Sequence, residues 1–348
     1  MKHTHLHTRL LALLLCCALV LPLSACGEAK STTQQIFAMD TVMDLTAYGK
    51  KADNGINAAI SIINSMDKLL DPENERSKTY EINHAMGSPV VVNEQTAKML
   101  RTALTVYERT NGAFDLTTYP LSKLWGFIDQ NYRVPSDAEI ERLLPCVDMS
   151  KVQLAATDDS ANSLVTMPAD MALSFGAVAK GCASDYAIQA MRAAGVTSGV
   201  VSLGGNVQTL GKKPDGSDWN IAIQDPNNTG SYLGYLTVGE TAVITSGSYQ
   251  RYFTEGGQKY HHILSPTTGR PVNNGLLAVT IVCEDGTLAD CLSTAMFVLG
   301  PQAALNYWRT YGGFEMLLVK TDGHVVLTNG LYGQFTPNGD SYVVDYAS

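Results

Sequence analysis

One stretch of the chain, TSGSYQRYFTEGGQKYHHILSPTTGRP over 245–271, sets a hydroxyl pair (Thr245, Ser246), an arginine (Arg251) and two adjacent histidines (His261, His262) close together. Arginine offers phosphate oxygens a planar fork of donors, and imidazole exchanges protons near neutral pH. Phosphate chemistry draws on these residue types. A surface hairpin of ordinary polar residues accounts for the same spacing equally well. A second group sits in Ala289-Asp290-Cys291-Leu292-Ser293-Thr294. Asp290 and Thr294 are four apart, so a helix would bring both to one face as oxygen ligands of the kind Mg²⁺ prefers. Thr287 with Asp290 three later also fits a capping box, and spacing alone favours that cap. Lys180 opens an expected helix, whose first N–H groups attract phosphate, although a solvated lysine is the ordinary case. Taken alone, Phe114 reads as core and Asp115 as a turn residue.

The elements that must position these residues are legible in outline. Two short β-type runs flank Gly256-Gly257 and predict a hairpin, followed by a Pro- and Gly-punctuated loop, SPTTGRP. Helical spacing of apolar residues runs from Asp53, a candidate N-cap, to Leu70, and again after Asn93 up to Gly112. Shorter helices are expected over 136–144, 179–194 and 289–299. Residues 112–127 lack a clean period and read as a loop packed on its own side chains or on a ligand. The segment 34–49 reads as a strand. Further β-runs fall at 199–203, 219–223, 232–238, 241–245, 258–264 and 276–283, and Asp322-Gly323 predicts a hairpin between 316–320 and 324–328. Strands and helices come in blocks, which points to an α+β fold with mixed or antiparallel sheets and flanking helices, in one domain over 34–348.

The chain has 348 residues, 45% of them apolar, enough for a sizeable core. Its formal charge of −9 disfavours general binding of nucleic acid, so a phosphorylated ligand needs local cations. Lys2 and Arg9 precede an apolar run, Leu10 to Leu23, that ends in Leu23-Ser24-Ala25-Cys26. This reads as a secretory signal over residues 1–25. A cysteine directly after small residues resembles a bacterial lipobox, with Cys26 lipidated, residues 26–33 as tether and the domain outside the membrane; plain secretory cleavage is the alternative. Of the seven cysteines, Cys146, Cys182, Cys283 and Cys291 belong to the domain without metal-type spacing, and are expected as small core residues.

Several motifs in order resemble the ApbE family, the FAD:protein FMN transferases: Met39 with Thr41, GAFDLT at Gly112–Thr117, GAVAKG at Gly176–Gly181, Leu-Gly-Gly at 203–205, TSG-x-Y-x-R-Y-F, H-H-I-L-x-P-x-T-G-x-P, and ADCLSTA at Ala289–Ala295. The resemblance implies Mg²⁺ held by Asp290, Thr294 and the Ala177 carbonyl. It implies flavin-nucleotide contacts at Met39, Phe114, Asp115, Leu116, Ser174, Lys180, Thr245, Arg251 and Leu264, with His262 as proton carrier. FAD would be the substrate, FMN would pass to a Thr or Ser hydroxyl of an exported or membrane acceptor protein, and AMP would leave. An FAD pyrophosphatase and a non-catalytic flavin-binding lipoprotein are the alternatives.

Departures from the family pattern are specific. Ser174 stands where the family has Asp, Asp40 where Gly is more usual, Leu116 where Pro is usual, and Ser248 where an acid is common. The loop from Asp71 to Arg76 lacks the aromatic that stacks on the isoalloxazine, so stacking must come from elsewhere. The family's acceptor motif, an acidic residue before [S/T]-G-A-[S/T], does not occur in this chain. The acceptor is therefore expected to be another polypeptide.

Overall fold

The structure, a computed structural model, describes residues 30–347; the leader and Cys26 lie outside the described residues. Strands β1 (Ser31–Ala38) and β2 (Thr41–Tyr48) open the chain, followed by helices α1 (Ala52–Leu70) and α2 (Lys78–Asn83), β3 (Val90–Asn93) and α3 (Glu94–Arg109). Two short helices, α4 (Tyr119–Leu124) and α5 (Asp137–Leu143), precede β4 (Gln153–Ala156), β5 (Asn162–Thr166) and α6 (Ala179–Ala193). Seven strands then run in succession: β6 (Gly199–Leu203), β7 (Asn206–Leu210), β8 (Trp219–Asp225), β9 (Asn228–Val238), β10 (Ala242–Gly247), β11 (Tyr252–Glu255) and β12 (Gln258–His261). The chain closes with β13 (Leu276–Cys283), α7 (Gly286–Leu299), α8 (Pro301–Tyr311), β14 (Glu315–Lys320), β15 (His324–Thr328), β16 (Phe335–Pro337) and β17 (Val343–Ala347).

Nine strands make one sheet in the order β1-β2-β6-β7-β10-β13-β14-β15-β17, antiparallel except for the β15–β17 pair. β13, LLAVTIVC, is apolar at almost every position and buried at most of them, which requires cover on both faces. One face takes α1, α3, α6 and α7 in the main core, including Ile56, Met99, Met191 and Phe297. The other face packs Val243, Leu317 and Leu327 against Trp219, Leu236 and Phe335 of a three-stranded sheet, β16-β9-β8. A third cluster, Leu121, Trp125, Phe127, Ile140 and Leu264, supports the β11–β12 hairpin through Phe253 and Tyr260.

The α+β reading and most elements match expectation, with informative exceptions. The strand expected at 34–49 is a hairpin that takes in Ser31–Thr33 of the expected tether and turns at Met39-Asp40. Both turn residues have positive φ (49° and 58°), which a two-residue turn in a right-twisted ribbon demands whatever the side chains. Lys51, not Asp53, precedes α1. Residues 112–127 contain α4 and a 3₁₀ turn, Leu116–Thr118, instead of a plain loop. α2, β3, β4, β5, β7, α8, β16 and β17 lie where the sequence reading expects no element. Cys182, Cys283 and Cys291 are buried and free, as core residues should be, whereas Cys146 is half-buried.

Candidate active site

A cleft of about 1070 Å³ runs between the hairpin tips β1–β2 and β6–β7, the starts of α6 and α7, and the base of β11–β12. Met39, Phe114, Asp115, Leu116, Ser174, Ala177, Lys180, Thr245, Arg251, His262, Leu264, Asp290 and Thr294 all line it. Every domain residue that the family resemblance assigned to the site therefore reaches one cavity, whereas His261 does not line it.

Local structure explains how each gets there. Leu203 pairs with Asn206 across Gly204-Gly205, both at positive φ, and a Cβ on Gly204 would collide with Thr41 of the neighbouring tip. Glycine is what lets the two tips touch. At the other tip the Met39 N–H donates to Asp67 Oδ1 (2.7 Å), which holds the turn against α1. Helix α7 is capped by Asp285, whose Oδ1 accepts from the Leu288 N–H (2.9 Å). The capping box expected from Thr287 and Asp290 is therefore absent. Asp290 Oδ2 instead accepts from the Gly181 N–H of α6 (2.8 Å), and Oδ1 from Asn206 Nδ2 of β7 (3.0 Å). A Cβ on Gly181 would lie 2.6 Å from the Asp290 Cβ, so only glycine permits that approach.

Asp290 is 4% exposed and its hydrogen bonds come from neutral donors. A buried carboxylate so placed has capacity for a cation. Thr294 lies one turn on, sharing Ser246 Oγ (3.1 Å), and Ala177 sits just ahead of α6. These are hard oxygen donors, and they fit Mg²⁺. No cluster of three or more His, Cys, Asp or Glu poised for a metal occurs among the described residues. A metal here would rest on one carboxylate with neutral oxygens and, in the cleft, substrate phosphates. The charge balance of the lining points the same way. Asp40, Asp67, Asp71, Glu73, Asp115 and Asp290 face only Lys180 and Arg251 among ordinary bases, a poor setting for a diphosphate unless a divalent cation joins it.

The two histidines diverge. His261 is buried; its Nε2 lies 2.8 Å from the Val272 carbonyl and its Nδ1 accepts from the Ile263 N–H. Both ring nitrogens are used. His262 Nδ1 lies 3.1 Å from the Arg251 carbonyl. A carbonyl only accepts, so Nδ1 carries the proton and Nε2 is the bare nitrogen. Desolvation first, then the Arg251 guanidinium, pushes His262 down to about 3, which favours the neutral ring. This corrects the expectation of an imidazole titrating near working pH. An anionic substrate would counter Arg251 and Lys180 and raise its proton affinity.

Other residues show what spacing does not convey. Asp115 Oδ1 accepts from the Thr117 N–H (2.7 Å) and Oδ2 from the Met149 N–H (3.0 Å); burial raises its carboxyl above the usual range. Its carboxylate is a structural cap, and Phe114 and Leu116 are almost wholly buried beside it. Ser174 Oγ accepts from the Gly176 N–H (3.2 Å), so the serine shapes the GAVAKG loop. Tyr119 and Phe127 line the cleft and were missed; Tyr119 donates to Glu73, which also pairs with Lys123. Both are buried, and Phe127 belongs to the third core cluster, so these rings are part of the cleft's packed wall. Asn206 lines the cleft as well, with its Nδ2 on Asp290.

The ApbE family model matches residues 39–318. The chain belongs to the ApbE family. A solved ApbE protein from Thermotoga maritima is 31% identical, with a TM-score of 0.81, covering 88% of this chain and 99% of that one. Among curated relatives, the FAD:protein FMN transferase of Treponema pallidum is 29% identical over 88% of this chain and 90% of its own length. That of Klebsiella pneumoniae is 30% identical over 81% and 87%.

Proposed function

We propose that this protein is an FAD:protein FMN transferase that works outside the membrane, moving FMN from FAD to a Thr or Ser hydroxyl of another protein and releasing AMP. The observation that carries the reading is the gathering of the family's motif residues around one cleft large enough for a dinucleotide. Support for the activity comes from the relatives named above.

In this reading the acceptor oxygen attacks the FMN-side phosphorus of FAD. The new bond is an O–P ester, the bond broken is the bridging P–O, and the pair leaves with AMP. His262 Nε2, the bare nitrogen, takes the hydroxyl proton. Lys180 and Arg251, which both line the cleft, would hold phosphate oxygens. Mg²⁺, held by Asp290, Thr294 and the Ala177 carbonyl, would neutralise charge building on the phosphates. Cys26 would tether the mature chain to the membrane, and the intact mass of membrane-extracted protein reads this directly.

The test is product analysis with FAD and Mg²⁺, first with this protein alone. Free chain without covalent flavin is expected, since no acceptor motif is present. Stoichiometric flavin on the denatured chain would overturn the trans-acting reading. Free FMN as sole product, even with an acceptor supplied, would make it a pyrophosphatase, and intact FAD a binding protein.

A further inference from the structure

Asp185 is 5% exposed and does not line the cleft, yet its carboxylate collects donors from three elements, α3, β7 and α7. Oδ1 accepts from the Gly286 N–H (2.8 Å) and from Gln208 Nε2 of β7 (3.1 Å). Oδ2 accepts from the Thr287 N–H (3.0 Å), Thr287 Oγ1 (2.6 Å) and Lys98 Nζ of α3 (2.9 Å). Gly286 and Thr287 open α7, where N–H groups have no acceptor within the helix. Asp285 satisfies the next donor, Leu288, so the first turn of α7 is tied both to its own cap and to α6.

The geometry is a pair of rungs one helical turn apart. On α6, Gly181 and Asp185 are four residues apart; on α7, so are Gly286 and Asp290. Asp185 joins Gly286, and Gly181 joins Asp290. Glycine stands on each helix where the two backbones meet, and a Cβ on Gly286 would lie 2.8 Å from the Gly181 carbonyl oxygen. With two rungs, neither sliding nor rotation of α7 against α6 is free.

We propose that Asp185 is a positioning residue for the metal carboxylate: its clamp on the first turn of α7, with Lys98 as counter-ion, keeps Asp290 on the Gly181 N–H and aimed into the cleft. The inference rests on the Mg²⁺ reading above. A buried ion pair is weak evidence for stability, so holding geometry is the better account of its presence. Against the desolvation that would lower it, Asp185 raises the Lys98 ammonium to about 12, so the pair stays charged across the working range.

Asp185→Asn keeps the volume, removes the charge and turns an amide N–H₂ toward groups that are themselves donors. The expected result is an Mg²⁺ dissociation constant raised about tenfold, by calorimetry with Mg²⁺ alone and with Mg²⁺ on FAD-saturated protein. The Gly181 amide, protected by Asp290, should exchange faster, while amides deep in α6 stay protected. A variant that melts earlier but binds Mg²⁺ like the wild type, with Gly181 still protected, would overturn the proposal. No Mg²⁺ heat from the wild-type chain would instead remove the metal reading itself. Thr287→Val takes one hydroxyl from the clamp and leaves the ion pair, and serves should Asp185→Asn not fold. A smaller shift in the same direction is expected, and wild-type Mg²⁺ binding by this variant would count against the clamp.

Discussion

Two parts of the cleft wall, the α6–α7 crossing and the β11–β12 hairpin, are built on opposite plans. At the first, Asp290 is buried, held by Gly181 and Asn206 and backed by Asp185, Gln208 and Lys98. At the other, His262 follows directly on a two-stranded hairpin that joins no larger sheet, and its ring is fixed by the Arg251 carbonyl of the same hairpin. That hairpin leans on an aromatic stack, with Phe253 and Tyr260 against Trp125. The difference teaches where rigidity is needed. Charge on a transferring phosphoryl group must be met by groups that do not reorganise. A proton acceptor facing an incoming peptide needs only the right tautomer and room in front of it.

The largest effect should come from the helix crossing. Asp290→Asn removes the only carboxylate of the proposed metal set; at several kcal/mol of charge stabilisation, turnover with FAD and Mg²⁺ should fall about a thousandfold. Unfolding should move far less, because Asn still offers an oxygen to the Gly181 N–H. Normal turnover would show that the two parts do not divide the work as described. At the hairpin, His262→Gln should cost about a hundredfold, the lower range for losing a general base. His261→Gln is the sharpening control: turnover should hold, while loss of the Val272 contact lowers stability by about 1 kcal/mol. Equal losses of turnover in the two variants would make both histidines structural.

The smallest effect concerns pH. His262 sits below its unfolded value, about 6.5, so its stabilising contribution is present above that pH and is lost as pH falls toward about 3. The free-enzyme profile of kcat/KM should therefore show no acid limb near 6.5 from this residue. A limb there that vanishes in His262→Gln would place the imidazole in a wetter setting than the structure gives it.

Long, strongly periodic elements were legible from sequence: α1 and α3 follow their apolar stripes, and Asn93 caps α3 as expected, accepting from the Thr96 N–H (3.1 Å). The site residues were legible through motifs, since no local pattern says that Met39, Ser174 and Arg251 will meet. What sequence did not convey was the use of each polar atom. Thr287-x-x-Asp290 has the spacing of a capping box, yet Asp285 caps and Asp185, from a helix a hundred residues earlier, takes the orphan donors. Asn206 and Gln208 alternate on β7 toward α6 and α7, a buried polar pair in a strand too short and too polar to read as one. Tertiary partners decide such cases, and single-sequence patterns carry no trace of them.

The most direct test supplies an exported acceptor bearing a Thr or Ser flavinylation motif, with FAD, Mg²⁺ and this protein, and maps the product by peptide mass spectrometry. The account predicts FMN esterified to the motif hydroxyl and one AMP released per flavin attached, with both lost in Asp290→Asn. AMP and free FMN formed with the acceptor unlabelled, or labelling that survives in Asp290→Asn, would contradict it.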